Sequence, residues 1–113
     1  MTIHQPIYKK LQECAKQGLQ TTYSEIAPLA GLNMDNPADR NRIAQILGDI
    51  STYEHEHGRP MLSALVVLAQ EGRPGDGFFK LARSLGLYDG HTDMQDLEFF
   101  VSESEKVFSY WKV

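Results

Sequence analysis

The residues with most potential for chemistry lie between positions 54 and 63. Glu54-His55-Glu56-His57 alternates carboxylates with imidazoles, and Gly58-Arg59-Pro60 leads from them to Ser63 in an apolar run. Carboxylates and imidazoles ligate metals and move protons. On a helix, the three-residue step from Glu54 to His57 puts both on one face, whereas Glu54 and His55 diverge. One helix thus falls short of the three or more converging ligands that a metal site needs, and neither Asp49 nor Asp76 stands at a diagnostic spacing. No metal and no cofactor is expected. A charged, solvated helix end accounts for these residues more simply, with His57 favoured there by the helix dipole. Ser63 would need an activating base and oxyanion donors to be a nucleophile, and no G-x-S-x-G elbow surrounds it. It reads as a small core or strand-end residue. Were the protein a small hydrolase or nuclease, its site would be Glu54, His57, Arg59 and Ser63.

A second group of residues has the chemistry of nucleic-acid binding. Arg40, Asn41 and Arg42 fall in the first turns of a third helix, and in a helix-turn-helix protein such positions meet base edges. Arginine matches guanine and asparagine matches adenine. Asp35, Asp39 and Asp49 lie close by and oppose phosphate. The segment "EGRPGDGFF" has the glycines for positive-φ turns and close approach, with Arg73 as a candidate phosphate contact. It lacks the Gly-Lys-Ser/Thr ending of a phosphate loop.

These residues have to be held by a mainly helical chain. "PIYKKLQECAKQG" predicts a first helix, entered at Pro6 and stopped at Gly18. Its stripe of Ile7, Leu11, Cys14 and Ala15 makes the cysteine a packing residue. "TTYSEIAPLAG" predicts a short second helix with a Thr22–Glu25 capping box, made irregular by Pro28. Asn36-Pro37 opens the third helix, whose stripe is Ile43, Ile46, Leu47, Ile50 and Tyr53, running to His57 with Gly58 beyond. "MLSALVVLA" reads as a buried strand, "QEGRPGDG" as a turn, and "FFKLARSLG" as a fourth helix. Thr92 and Gln95 cap a last helix with a predicted buried face of Leu97, Phe100, Val101, Phe108 and Trp111. The expected fold is therefore mainly α with a short β element, a winged helix-turn-helix-like single domain over 1–113.

Composition sets limits. The chain has 113 residues, 42% of them hydrophobic and 23% charged, which suits one soluble domain. The single cysteine excludes an internal disulfide. No membrane helix and no export signal is legible, so a cytoplasmic location is expected. The net charge is −4. Residues 1–83 balance nine basic against nine acidic side chains, while 84–113 carry two lysines against six acids. The excess sits in the C-terminal helix, and the phosphate-binding field is correspondingly weak.

The order of motifs resembles one family. "TTYSEIAPLAG" is similar to the "TYGEIAxLAG" segment of the alkylguanine-DNA alkyltransferases and alkyltransferase-like proteins. "NRIAQILG" is similar to their recognition-helix segment "RAVGxALG", and "MLSALVVLAQEGRPGDGFF" to their active-site strand and wing. The resemblance covers about residues 20–85, with 86–113 as an acidic helix outside it. It implies a winged-helix fold that binds double-stranded DNA through the minor groove and flips out a base. Tyr23 matches the tyrosine beside the rotated phosphate. Asn41, flanked by Arg40 and Arg42, stands at the intercalating arginine. Ser63 stands where the alkyl-accepting cysteine would be, and Ala64 replaces the histidine after it, so alkyl transfer is not expected. The leading expectation is a non-enzymatic DNA-binding or regulatory protein, with Tyr23, Arg40, Asn41, Arg42 and Arg73 as its contacts. The alternative is a protein–protein interaction module on the same scaffold, with the acidic C-terminal surface and the "VFSYWKV" end facing a partner.

Overall fold

The computed structural model describes residues 2–112. Five α-helices surround one short central segment: α1 (Gln5–Gln17), α2 (Tyr23–Ile26), α3 (Pro37–Glu56), α4 (Asp76–Ser84) and α5 (Asp93–Trp111). Two-residue strands β1 (Thr21–Thr22) and β2 (Val66–Val67) pair in parallel, Thr21 with Val66 and Thr22 with Val67. The structure is thus a mainly helical single domain with a short β element. The glycine-rich turn is closed by the Leu68 N–H donating to the Arg73 carbonyl at 2.8 Å. Among the described residues no strand hairpin flanks it.

Local chemistry explains most boundaries. Gly18 ends α1 at φ +72°, donating to the Ala15 carbonyl, because a left-handed residue closes a helix without a Cβ penalty. Asn36 caps α3 through its side chain, accepting from the Ala38 and Asp39 N–H groups, with Pro37 at the first helical position. Thr92 and Gln95 form a reciprocal capping box on α5. At Thr22 only half the predicted box forms. Its hydroxyl accepts from the Glu25 N–H, but the Glu25 carboxylate takes the Thr21 hydroxyl at 3.1 Å. Pro28 converts the continuation of α2 into a 3-10 helix, Ala27–Ala30, since it has no N–H to donate.

The predicted strand over "MLSALVVLA" is largely a 3-10 helix, Leu62–Leu65, followed by β2. Every residue from Met61 to Val67 is buried, and the segment packs against α1, α3 and α5. Helices on all sides leave little room for a sheet ladder, so its backbone donors find side chains instead. Met61 N–H donates to Glu103 Oε2 at 2.9 Å, and Ser63 N–H to Ser51 Oγ at 3.1 Å. The β-branched pair Val66-Val67 alone takes strand pairing.

The buried face of α5 also differs from the expected one. Phe100, Glu103, Ser104 and Val107 face the core, while Leu97 and Val101 are 42% and 45% exposed. Docking Glu103 onto the Met61 N–H rotates the helix away from its most apolar stripe. Cys14 is packed in the core, and burial pushes its thiol up, as suits a structural cysteine.

Candidate functional site

The residues singled out between 54 and 63 are not brought together as a site. Glu54 is fully buried rather than solvated. Its carboxylate pairs with the Arg59 guanidinium and accepts the Tyr8 hydroxyl at 3.1 Å. A carboxylate inside a core requires such partners, so it clamps the end of α3 to α1. His57 is exposed, its Nδ1 2.8 Å from the Tyr53 carbonyl. Ser63 pairs with Ser51 and has no imidazole or carboxylate to activate it. Among the described residues no group of three or more His, Cys, Asp or Glu could hold a metal ion.

The Glu54 cluster has a pH signature. Burial, reinforced by the Glu54 carboxylate, pushes the Tyr8 phenol up to about 12. A raised folded-state pKa favours the protonated fold, so the contribution is complete below pH 10 and is lost as pH rises toward 12. Urea melts between pH 8 and 11.5 are expected to show stability falling in that window. Tyr8→Phe should flatten the fall while lowering stability at neutral pH; an unchanged alkaline slope would separate Tyr8 from it.

The cavity that does carry binding chemistry lies on the other side of α3. About 370 Å³ in volume, it is walled by α2, α3, α4 and the glycine-rich turn. Arg40, Ala44, Leu47 and Gly48 line it at helical spacing from α3. Ala44 and Gly48 are small there, which leaves the space open. Gly75, Gly77, Phe78 and Leu81 form the opposite wall, Met34 and Leu68 the sides. Among the described residues its polar side chains are Tyr23, Arg40 and Ser63. A largely apolar cavity of this size with a few convergent polar groups is the usual form of a ligand site.

Each polar group has a proton that it can donate. Ser51 Oγ accepts the Ser63 N–H and lies 2.6 Å from Ser63 Oγ. Ser51 is wholly buried, and either hydroxyl of the pair can be the donor. Ser63, itself 5% exposed, reaches the cavity wall. Tyr23 Oη accepts the Gly75 N–H at 2.9 Å, and its own proton meets no acceptor among the described residues. Burial pushes that phenol up, with the Gly75 bond acting in the opposite direction, so it stays neutral. Arg40 forms no ion pair among the described residues. Nearby carbonyls are committed: Leu68 O to the Glu71 and Gly72 N–H groups, Gly75 O to that of Phe78.

Arg40, Asn41 and Arg42 are all exposed on the first turns of α3; Arg40 alone of the three lines this cavity, and Arg42 donates to Gln45 Oε1 at 3.2 Å. Asp39 is engaged by the Asn33 N–H at 3.0 Å, which braces the loop ahead of α3. Arg73, in contrast, is not free for phosphate. Its guanidinium lies 3.8 Å from Asp96 on α5 and over the Phe79 ring. Asp96 also takes the Tyr88 hydroxyl and faces Arg83 at 3.6 Å. The roles of Ala44, Gly48, Ser51 and Asp96 were not read from the sequence. Small residues on the polar side of an amphipathic helix were the one available signal for the cavity.

Compared with protein-family models, curated proteins and solved structures, the chain matches none.

Proposed function

We propose that this is a non-enzymatic DNA-binding protein, acting in the cytoplasm, that docks the start of α3 on a duplex and takes an unstacked base into the neighbouring cavity. The observation that carries this reading is the apolar cavity with the exposed Arg40 on its wall, Asn41 and Arg42 being exposed on the same first turns of α3. A base needs an apolar slot with few oriented polar groups, and its strand needs cationic side chains at the mouth. The family resemblance supports the same use of Tyr23, while Asn41 stands in place of the intercalating arginine and Ser63 in place of the reactive cysteine. Ser63 has a serine partner and no base, so the reading is of recognition without chemistry.

The test is fluorescence anisotropy with a labelled random duplex, titrated from about 20 to 200 mM salt, where phosphate contacts give a steep log–log slope. Absence of binding at the lowest salt would sink the proposal. The acidic C-terminal helix would act as a regulator here, because Asp96 neutralises Arg73 and Arg83. Asp96→Asn is expected to tighten DNA binding severalfold and steepen its salt slope by up to about one phosphate equivalent. Unchanged affinity would remove Arg73 from the interface.

A protein-interaction module is the second reading. It is favoured by Met94, Leu97 and Val101, exposed at helical spacing on α5 beside Glu98 and Glu105. An apolar stripe with an acidic edge suits a protein partner better than a phosphate backbone. Leu97→Ser with Val101→Ser leaves DNA binding intact under the first reading and abolishes partner capture under the second.

A further inference from the structure

We infer that the groove between the end of α3 and the second half of α5 binds a small organic acid, a carboxylate or phosphate monoester carried on an apolar body. The groove has a volume of about 560 Å³, a size that suits a small ligand. His55 and Arg59 line it from the end of α3 and the turn after it, Lys106, Ser109 and Tyr110 from α5, and Leu87 from the α4–α5 connection. It shares no lining residue with the cavity beside Arg40, so it is a second site, independent of the DNA reading.

The charged groups decide the sign of the ligand. Arg59 and Lys106 can only donate, and the two carboxylates near them are turned inward and already engaged. Glu103 is 4% exposed, with Oε2 accepting the Met61 N–H and Oε1 3.9 Å from Lys106 Nζ. Glu54 is fully buried and engages Arg59 at Nε. The rest of that guanidinium meets no carboxylate among the described residues, and its planar fork matches two oxygens of one acid. The last carbonyls of α3 are also committed: Glu54 O to the His57 and Arg59 N–H groups, His55 O to that of Gly58. A cation entering the groove thus finds its acceptors taken. An acid finds two cations, and the Lys106 side chain is 66% exposed.

The rest of the wall describes the body of the ligand. Leu87 and Tyr110 line the same groove and leave large apolar surfaces open to solvent. A bare inorganic ion would leave those surfaces in water, whereas an aryl or alkyl group removes them from it. Ser109 and Tyr110 hydroxyls can donate as well as accept, so the preference for an acid rests on Arg59 and Lys106.

The probes are phenylacetate, phenyl phosphate, inorganic phosphate and 2-phenylethylamine. Each is titrated at constant ionic strength into the ¹⁵N-labelled full chain, following the His55, Gly58, Lys106 and Ser109 amides. At least one aromatic acid is expected to give saturable shifts there, about fivefold tighter than inorganic phosphate, and the amine none. Whichever acid binds tighter identifies the oxyanion as carboxylate or phosphate. Lys106→Gln should weaken its binding about fivefold, with Lys106→Arg retaining it. Leu87→Ser with Tyr110→Ser should lower it to the level of inorganic phosphate, thermal melts confirming that each variant is folded. Four results overturn the inference: no saturable shift with either acid, an amine that binds as well, inorganic phosphate binding as tightly as both acids, or an affinity unmoved by Lys106→Gln in a folded chain.

Discussion

Arg59→Ala is expected to lower the free energy of unfolding by about 3–5 kcal/mol, a large share of the roughly 5–15 kcal/mol typical of a domain. The reason is what the substitution leaves behind. Glu54 has no exposure, and Arg59, only 18% exposed at its side chain, is its single cationic partner. Burial opposes the Arg59 charge, but the Glu54 carboxylate outweighs it and holds the guanidinium protonated more tightly than usual. With Arg59 gone, the carboxylate retains only the Tyr8 hydroxyl among its described side-chain partners and is left as an uncompensated charge in the core. Urea unfolding at pH 7 measures the loss. A double replacement, Glu54→Leu with Arg59→Met, should recover a large part of it, because removing both charges avoids the stranded carboxylate. A single substitution costing under about 1 kcal/mol, the range of surface pairs, would show that water reaches Glu54.

Replacing Arg40 and Arg42 together by alanine is expected to weaken duplex binding about tenfold or more at low salt. It should also flatten the log–log salt slope by close to two, near 0.9 for each phosphate no longer neutralised. Both side chains are exposed and neither is paired with a carboxylate among the described residues. Their charge is available to a phosphate without an internal bond being broken. The Arg42 interaction with Gln45 is a surface hydrogen bond, so folding stability should move by no more than about 0.5 kcal/mol. Melting curves run beside the anisotropy titration distinguish a weakened interface from an unfolded chain. An unaltered slope in a folded variant would take the start of α3 out of the interface. The weak overall field, with a net charge of −4, makes these two arginines matter more, since attraction to phosphate must then come from local cations.

Helices α1, α3 and α5 were legible in the sequence because their signals are local. Pro6 and Gly18, Asn36-Pro37, and Thr92 with Gln95 act within a turn of the boundaries they set. Burial of Ile7, Leu11, Ile43 and Ile50 followed from apolar spacing alone. Cys14 as a packing residue came from the same periodicity.

Tertiary structure decided the rest, and did so through groups that pair across long stretches of chain. Glu54 belongs to a charged run and looked solvated; it is buried because Tyr8, 46 residues away, and Arg59 satisfy it. Glu103 turns α5 by reaching the Met61 N–H, 42 residues distant, which moves Leu97 and Val101 outward despite their hydropathy. "MLSALVVLA" folds mainly as a 3-10 turn because three helices enclose it and Ser51 and Glu103 take the N–H groups that a sheet would have bonded. Asp96, distant in sequence from Arg73, pairs with that arginine at 3.8 Å. The cavity exists only where Ala44 and Gly48 of α3 face the glycine-rich turn across Tyr23. Periodicity reports which residues avoid water, a property of single positions. Which donor meets which acceptor depends on how the elements pack, and here those pairings placed the buried charge and shaped the site.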